Sequence, residues 1–437
     1  MNTPASLALL ALMAFATNVR AERIPGQFVV KLQKHKTVDS LEDNGFSIIK
    51  PVIPALGIYL VEAPQGFESI QSLKSFSGID SVTYEEEVSL RKAKQPNDSD
   101  FSAQWSMSTQ SNGADIHIGN VWQKSVGSQD YVVAVVDEGV DVSHADLKQN
   151  IWTNTREIPG NGIDDDNNGY VDDVHGWNAY QSNGDLIASR HGTHVAGIAG
   201  ARGDNGRDVA GVNWNVKIMG VGASSSTTSV VLEGYGYVLA QKQLWLDSNG
   251  SKGANVVVTN SSFGVDRARC DSGDYRLWND VYNAMGEAGI LSAAATINDQ
   301  VDIDKMGDVP TGCTSPYLVT VTNTTIDNEK YQYAGYGAVG IDLGAPGTDI
   351  LSTLPGDRTG SLTGTSMATP HVAGTVALLY AAVDGLGAAA KLNPGATALR
   401  VKQALLNGSE KLPSLRGKTV SGGKLNVQGA YQILSAE

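Results

Sequence analysis

The 437-residue sequence predicts an α/β protein, a parallel sheet flanked by helices, preceded by a small α+β domain. Three observations carry that expectation. Short β-branched runs recur along most of the chain, each followed by a stretch of helical periodicity, and such alternation builds parallel sheets with helices on both sides. The strand runs are apolar without interruption, which marks burial on both faces. Ahead of them lies a shorter strand, helix, strand pattern that closes in a polar and basic segment, the composition of a linker. At this length two folded units are expected, because single cores stop growing at roughly 250–300 residues.

In chain order, residues 1–21 read as a secretory signal peptide. The apolar run at 7–16 is too short for a bilayer, and Val19-Arg20-Ala21 supplies small residues where a signal peptidase cuts, although no Lys or Arg precedes the run. No later segment is long and apolar enough to span a membrane, so a secreted protein without a membrane anchor is expected. Residues 22–96 form the small α+β domain, with strand patterns at 28–32, 58–61 and 82–84 around an apolar-periodic stretch at 70–76. It ends in Arg91-Lys92-Ala93-Lys94-Gln95-Pro96-Asn97-Asp98, a segment open to proteolytic nicking.

From 97 to 437 the strand runs fall at 131–136, 216–221, 255–260, 290–295 and 317–322. Helical patterns cover Thr228–Asp247 and residues 275–288, where Leu277, Val281 and Met285 recur at spacings of four. With 41% hydrophobic and 18% charged residues and 49 glycines, the chain is a compact globular one with many tight turns, not a disordered one. The net charge of -14 lies wholly after residue 96 and excludes a nucleic-acid partner. Cys270 and Cys313, the only cysteines, suit either one disulfide or two free thiols.

Three segments carry chemistry: Val135-Val136-Asp137-Glu138-Gly139-Val140, His191-Gly192-Thr193-His194-Val195-Ala196-Gly197 and Gly364-Thr365-Ser366-Met367-Ala368-Thr369-Pro370-His371. A serine hydroxyl is a poor nucleophile unless an imidazole within about 2.6–3.2 Å removes its proton, and that imidazole must be held in one tautomer. Asp137 follows a buried strand, whereas His191 and Ser366 each open an apolar helical stretch. His194 and His371, inside those helices, are assigned to packing. Asp, His and Ser in this order resemble the active-site signatures of the subtilase family.

That resemblance extends from Asn97 through residue 434, and it implies a subtilisin-like serine endopeptidase acting as a monomer on peptide or protein substrates. Asp137, His191 and Ser366 would be the triad, with Asn298 as side-chain donor to the oxyanion, although Thr296-Ile297 makes its loop one residue longer than the family pattern. Ser262-Phe263-Gly264 would be the substrate-pocket segment, pairing with extended peptide by strand addition. Glu138 stands where the family has a small hydroxyl residue. The domain at 22–96 resembles the family's propeptide, an intramolecular inhibitor and folding aid, which makes the chain a zymogen. A protein that keeps the fold and binds peptide without turnover is the rival reading.

The acidic run from Asn161 to Asp173 places Asp164, Asp166, Asn168, the Tyr170 carbonyl and Asp172 at the first nine positions of a calcium loop, with Gly169 at its sharp turn. The closing glutamate is absent, because that position is His175. Some subtilases carry a similar Asp-rich loop here, so structural calcium is the expectation, against a merely solvated acidic loop.

Overall fold

The computed structural model describes residues 23–86, 94–110 and 112–436. The expected signal peptide at 1–21, and residues 87–93 of the segment leading into the linker, lie outside the described residues. The chain divides into two compact units, Met1–Lys92 and Ala93–Glu437.

In the first unit four strands, β1 (Arg23–Leu32), β2 (Ser47–Ile53), β3 (Ile58–Glu62) and β4 (Ile79–Glu86), pair antiparallel in the order β2-β3-β1-β4. Alternation along β1 turns Phe28, Val30 and Leu32 inward, where they meet Leu41, Phe46, Val61 and Leu73. Ser69 caps the helix Ile70–Lys74, accepting the Ser72 N–H while the Ser72 hydroxyl accepts the Ser69 N–H. β2 was not expected from sequence. It holds Pro51, which argues against a central strand, and it lies at the sheet edge, where proline is tolerated.

Among the described residues the second unit is built on a nine-stranded sheet. In chain order its first strands are β5 (Val132–Asp137), β6 (Gly176–Asn178), β7 (Lys217–Gly222) and β8 (Val256–Ser261); a short β9 (Val265–Asp266), outside that sheet, then precedes β10 (Leu291–Ala295). After β11 (Asp308–Val309) come β12 (Leu318–Thr324) and β13 (Leu343–Pro346), a hairpin of β14 (Ile350–Leu354) and β15 (Arg358–Leu362), then β16 (Glu410–Lys411) and β17 (Gly423–Lys424). The sheet order is β16-β17-β13-β12-β10-β8-β5-β7-β6, parallel throughout except at the β16–β17 edge. This is the expected α/β architecture.

Each face of the sheet has its own core. Val133 and Val135 of β5 join the cluster under helices Arg190–Gly200 and Thr365–Ala382, whereas Val132, Ala134 and Val136 join that under Thr228–Asp247 and Arg276–Glu287. Burial on both sides is why the strands read as unbroken apolar runs, at about 1.5–3 kcal/mol for each fully buried valine. One detail departs from the periodicity: Leu277 is 63% exposed, and the buried face of its helix is Trp278, Tyr282 and Met285. Large aromatic rings displace the smaller leucine from the core side. Helices Arg190–Gly200 and Thr365–Ala382 meet closely at Gly374, where a Cβ would stand 2.8 Å from the Ala199 carbonyl oxygen. Cys270 and Cys313 are joined as a disulfide with Cα atoms 4.9 Å apart, which settles the alternative left open above. Among the described residues no single helix is long and apolar enough to cross a membrane.

Candidate active site

The carboxyl ends of parallel strands deliver three of the side chains at issue. Asp137 ends β5, Ser262 immediately follows β8, and Asn298 lies on the loop after β10. From β5 the chain goes to β7 on one side and returns to β8 and β10 on the other, so the crevice beside β5 is a topological switch point, where open sheets place ligands.

Asp137 is fully buried. Its Oδ1 accepts the Glu138 N–H at 2.8 Å, and its two oxygens stand 2.9 and 3.0 Å from His191 Nδ1. An acceptor against Nδ1 puts the proton there and leaves the Nε2 lone pair for other work. Among the described residues Nε2 has no hydrogen-bond partner. Burial lowers the affinity of the imidazole for a proton, but the hydrogen bond and charge of Asp137, with the charge of Glu138, outweigh it, and the net shift is upward.

His191 is held by its own helix start. Ser189 caps the helix, its hydroxyl accepting the His191 N–H at 3.2 Å and donating to Glu138 Oε2 at 2.8 Å. Glu138 Oε1 in turn accepts the Ser225 hydroxyl at 3.0 Å. Glu138 therefore belongs to a frame around the imidazole, and neither it nor Ser189 was assigned that role from sequence. Gly192 lets the helix start approach the Asp137 loop, since a Cβ there would stand 2.0 Å from the Gly139 carbonyl oxygen. The two further histidines of the signature segments behave as packing residues: His194 Nε2 meets the Gly360 carbonyl at 3.0 Å, His371 bridges Met367 O and the Ser106 hydroxyl, and burial pushes both down to about 4.

Ser366 lies in the first turn of helix Thr365–Ala382, where its N–H has no intrahelical acceptor. Its hydroxyl donates to the Ser262 carbonyl at 3.2 Å, and the Ser262 hydroxyl donates to the Ser366 carbonyl at 2.9 Å. The structure thus joins Asp137 to His191 and Ser366 to Ser262; among the described residues no hydrogen bond links His191 to Ser366. Asn298 Oδ1 accepts both the N–H and the hydroxyl of Thr365, at 2.9 and 3.1 Å. Two donors against one end identify that end as the oxygen, so the Nδ2 donors face away from Thr365. Ser262, Phe263, Gly264, Asn298 and Ser366 line one pocket of about 70 Å³. Phe263 also packs against Tyr235, ring centroids 6.4 Å apart. Larger cavities lie elsewhere, near Cys313 and near Tyr131, and neither includes a triad residue.

In the acidic run, Asp164, Asp166 and Glu157 each offer an oxygen within 4.8 Å of the others. Glu157 precedes the loop pattern and was not expected; its Oε1 accepts the N–H groups of Asp165 and Asp166, and its Oε2 that of Asp172. Asp172 accepts the N–H groups of Asn161 and Gly162, while Asn168 accepts the Tyr170 N–H and donates to Asp173. Gly169, at φ +95°, supplies the turn. Three hard oxygen donors clustered against their mutual repulsion fit calcium.

Residues 128–430 match the model of the subtilase family of S8 peptidases. The chain belongs to the subtilase family. Among curated subtilases, subtilisin-like protease 1 of Plasmodium vivax is 31% identical over 325 residues, 69% of this chain and 47% of its own, so the chain spans about half the length of that relative. An extracellular protease of Xanthomonas campestris pv. campestris is 30% identical over 86% of this chain and 64% of its own. The major intracellular serine protease of Bacillus subtilis is 31% identical over 59% and 71%. Of solved structures, a protease of Pseudoalteromonas arctica PAMC 21717 has a TM-score of 0.57 at 25% identity, over 78% of this chain and 100% of its own. The fold is subtilisin-like.

Proposed function

We propose that this subtilase is a serine endopeptidase, secreted as a zymogen, in which residues 1–21 direct export, 22–96 inhibit the enzyme and aid its folding, and 97–437 cleave peptide bonds. The observation that carries the reading is the hold on His191: Nδ1 is engaged by the buried Asp137, and Nε2 has no other partner among the described residues. In catalysis the Ser366 hydroxyl turns from the Ser262 carbonyl toward Nε2, gives up its proton and attacks the scissile carbonyl. The tetrahedral oxyanion accepts from the Ser366 N–H, at the positive end of its helix, and from Asn298 Nδ2. His191 then passes its proton to the leaving amine, and water repeats the sequence to release the acid. Extended substrate pairs its backbone with Ser262-Phe263-Gly264.

Calcium would be held by Glu157, Asp164 and Asp166, with Asn168, Tyr170 and Asp172 shaping the loop or adding oxygen atoms. Its contribution is structural charge neutralisation, remote from the proton transfers. The disulfide and the extracellular Xanthomonas relative support export.

Ser366→Ala is expected to abolish hydrolysis of casein while leaving the circular-dichroism spectrum and melting temperature near those of the parent. Rapid labelling of the parent by a serine-directed fluorophosphonate, lost in the variant, is the matching positive result. A parent that binds peptide but resists labelling would establish the silent-binder alternative instead.

A further inference from the structure

The pocket beside Ser366 holds a charge that peptide hydrolysis does not use. β9 and β11 form an antiparallel pair in which Asp266 stands directly opposite Asp308, so both side chains project from the same face of the ribbon. Directly opposed like charges destabilise such a pair. Both residues line the pocket that contains Ser366 and Asn298, and among the described residues no lysine or arginine lines it. The Asp266 side chain is exposed and has no hydrogen-bond or ion-pair partner among the described residues.

Asp308 is only 1% exposed, and its two oxygens differ. Oδ2 accepts the Ile297 N–H and the Thr296 hydroxyl at 3.0 Å each and the Thr311 hydroxyl at 2.5 Å, whereas Oδ1 accepts nothing among the described residues. Gly264 leaves that second oxygen uncovered: a Cβ there would approach it to 3.6 Å and would collide with the Val309 carbonyl at 2.5 Å. Burial, with a smaller contribution from the Asp266 charge, pushes the Asp308 carboxyl up to about 6, against the three hydrogen bonds that favour the carboxylate. A buried carboxylate with one free oxygen, facing a second carboxylate and no cation, lacks its countercharge.

We infer that this pocket receives a lysine or arginine side chain from the substrate residue whose carbonyl is cleaved, with Asp308 as the specificity-determining residue and Asp266 as the outer carboxylate. The inference rests on the peptidase reading proposed above and names its substrate class. A cationic head entering the pocket brings five guanidinium or three ammonium donors to the unpartnered Oδ1 and relieves the repulsion between the two acids. A neutral side chain of the same length would leave both carboxylates unpaired in a pocket it has dried.

The test is a set of fluorogenic peptides differing only at that residue, arginine, lysine, leucine or phenylalanine, cleaved by enzyme matured from the full chain. The expected result is kcat/KM for arginine and lysine at least 10-fold above that for leucine and phenylalanine. Asp308→Asn keeps an acceptor for Ile297 and the two threonines, so it should fold, and the basic-to-neutral ratio should fall by roughly 10²-fold. Asp266→Asn, at an exposed position without partners, should lower the ratio in the same direction by less. Efficient cleavage after leucine or phenylalanine with no basic preference, or a preference unchanged in both variants, would overturn the inference and leave the peptidase reading standing. No cleavage of any peptide together with no fluorophosphonate labelling would overturn both.

Discussion

At His191 the charges of Asp137 and Glu138 raise the proton affinity of the imidazole above its ordinary 6.5, in spite of burial. The sign of the consequence follows from the role of the residue. A general base works only when neutral, so activity is lost as pH falls through the folded-state value, and a raised value moves that loss to higher pH. The acid limb of kcat/KM is therefore expected above pH 6.5. Asp137→Asn removes the charge and frees the tautomer; kcat should fall by about 10⁴-fold, and the residual acid limb should move to lower pH. A pH–rate profile of the two proteins checks both, and an unmoved limb would refute the assignment of His191 as the base. Asp137, His191 and Ser366 were legible in the sequence because each lies in a local pattern of strand end or helix start. The frame of Ser189, Glu138 and Ser225 was not, because hydroxyls and carboxylates of that kind are common on any surface and only their convergence on the imidazole gives them a role.

Among the elements, the acidic loop between β5 and β6 makes the clearest demand. Carboxyl oxygens of Glu157, Asp164 and Asp166 converge within 4.8 Å, an arrangement that repels itself until a cation is present. Calcium at about 100 times its Kd should add about 2.7 kcal/mol of stability. For a unit of this size that corresponds to a rise in Tm of several degrees, at about 2–4 °C per kcal/mol. Calorimetry with calcium and with a chelator reads the shift, and Glu157→Gln should shrink it; a variant that retains the full shift would remove Glu157 from the site. The loop itself could be read from its alternating Asp and Asn with a glycine turn. Glu157 could not, because it enters from before the loop and no spacing rule connects them.

For the molecule as a whole, the division into units at Lys92 and Ala93 and the chemistry of Ser366 bear on maturation. If residues 22–96 act as a removable inhibitor, the parent should yield a mature form whose N-terminus falls between about residues 90 and 101, and the Ser366→Ala precursor should remain whole under the same conditions. N-terminal sequencing and gel mobility of the two proteins provide the check. Equal processing of both would show that another protease makes the cut. The first unit has a core of few side chains, Phe28, Val30, Leu41, Phe46 and Leu73 chief among them, as befits a domain of marginal size.

The sequence by itself determined the succession of strands and helices, the segregation of a small first domain, and the order Asp137, His191, Ser366. Those properties are written in short stretches, where periodicity, caps and neighbouring residue types act over one or two turns. Only the tertiary structure decided that Asp308 would face Asp266 beside Ser366, that Glu157 would join Asp164 and Asp166, and that Cys270 would meet Cys313. The first and last of these contacts join segments some forty residues apart along the chain, and the second depends on how an irregular loop folds back on the residue before it; packing, not any local pattern, sets which of them come within a few ångströms.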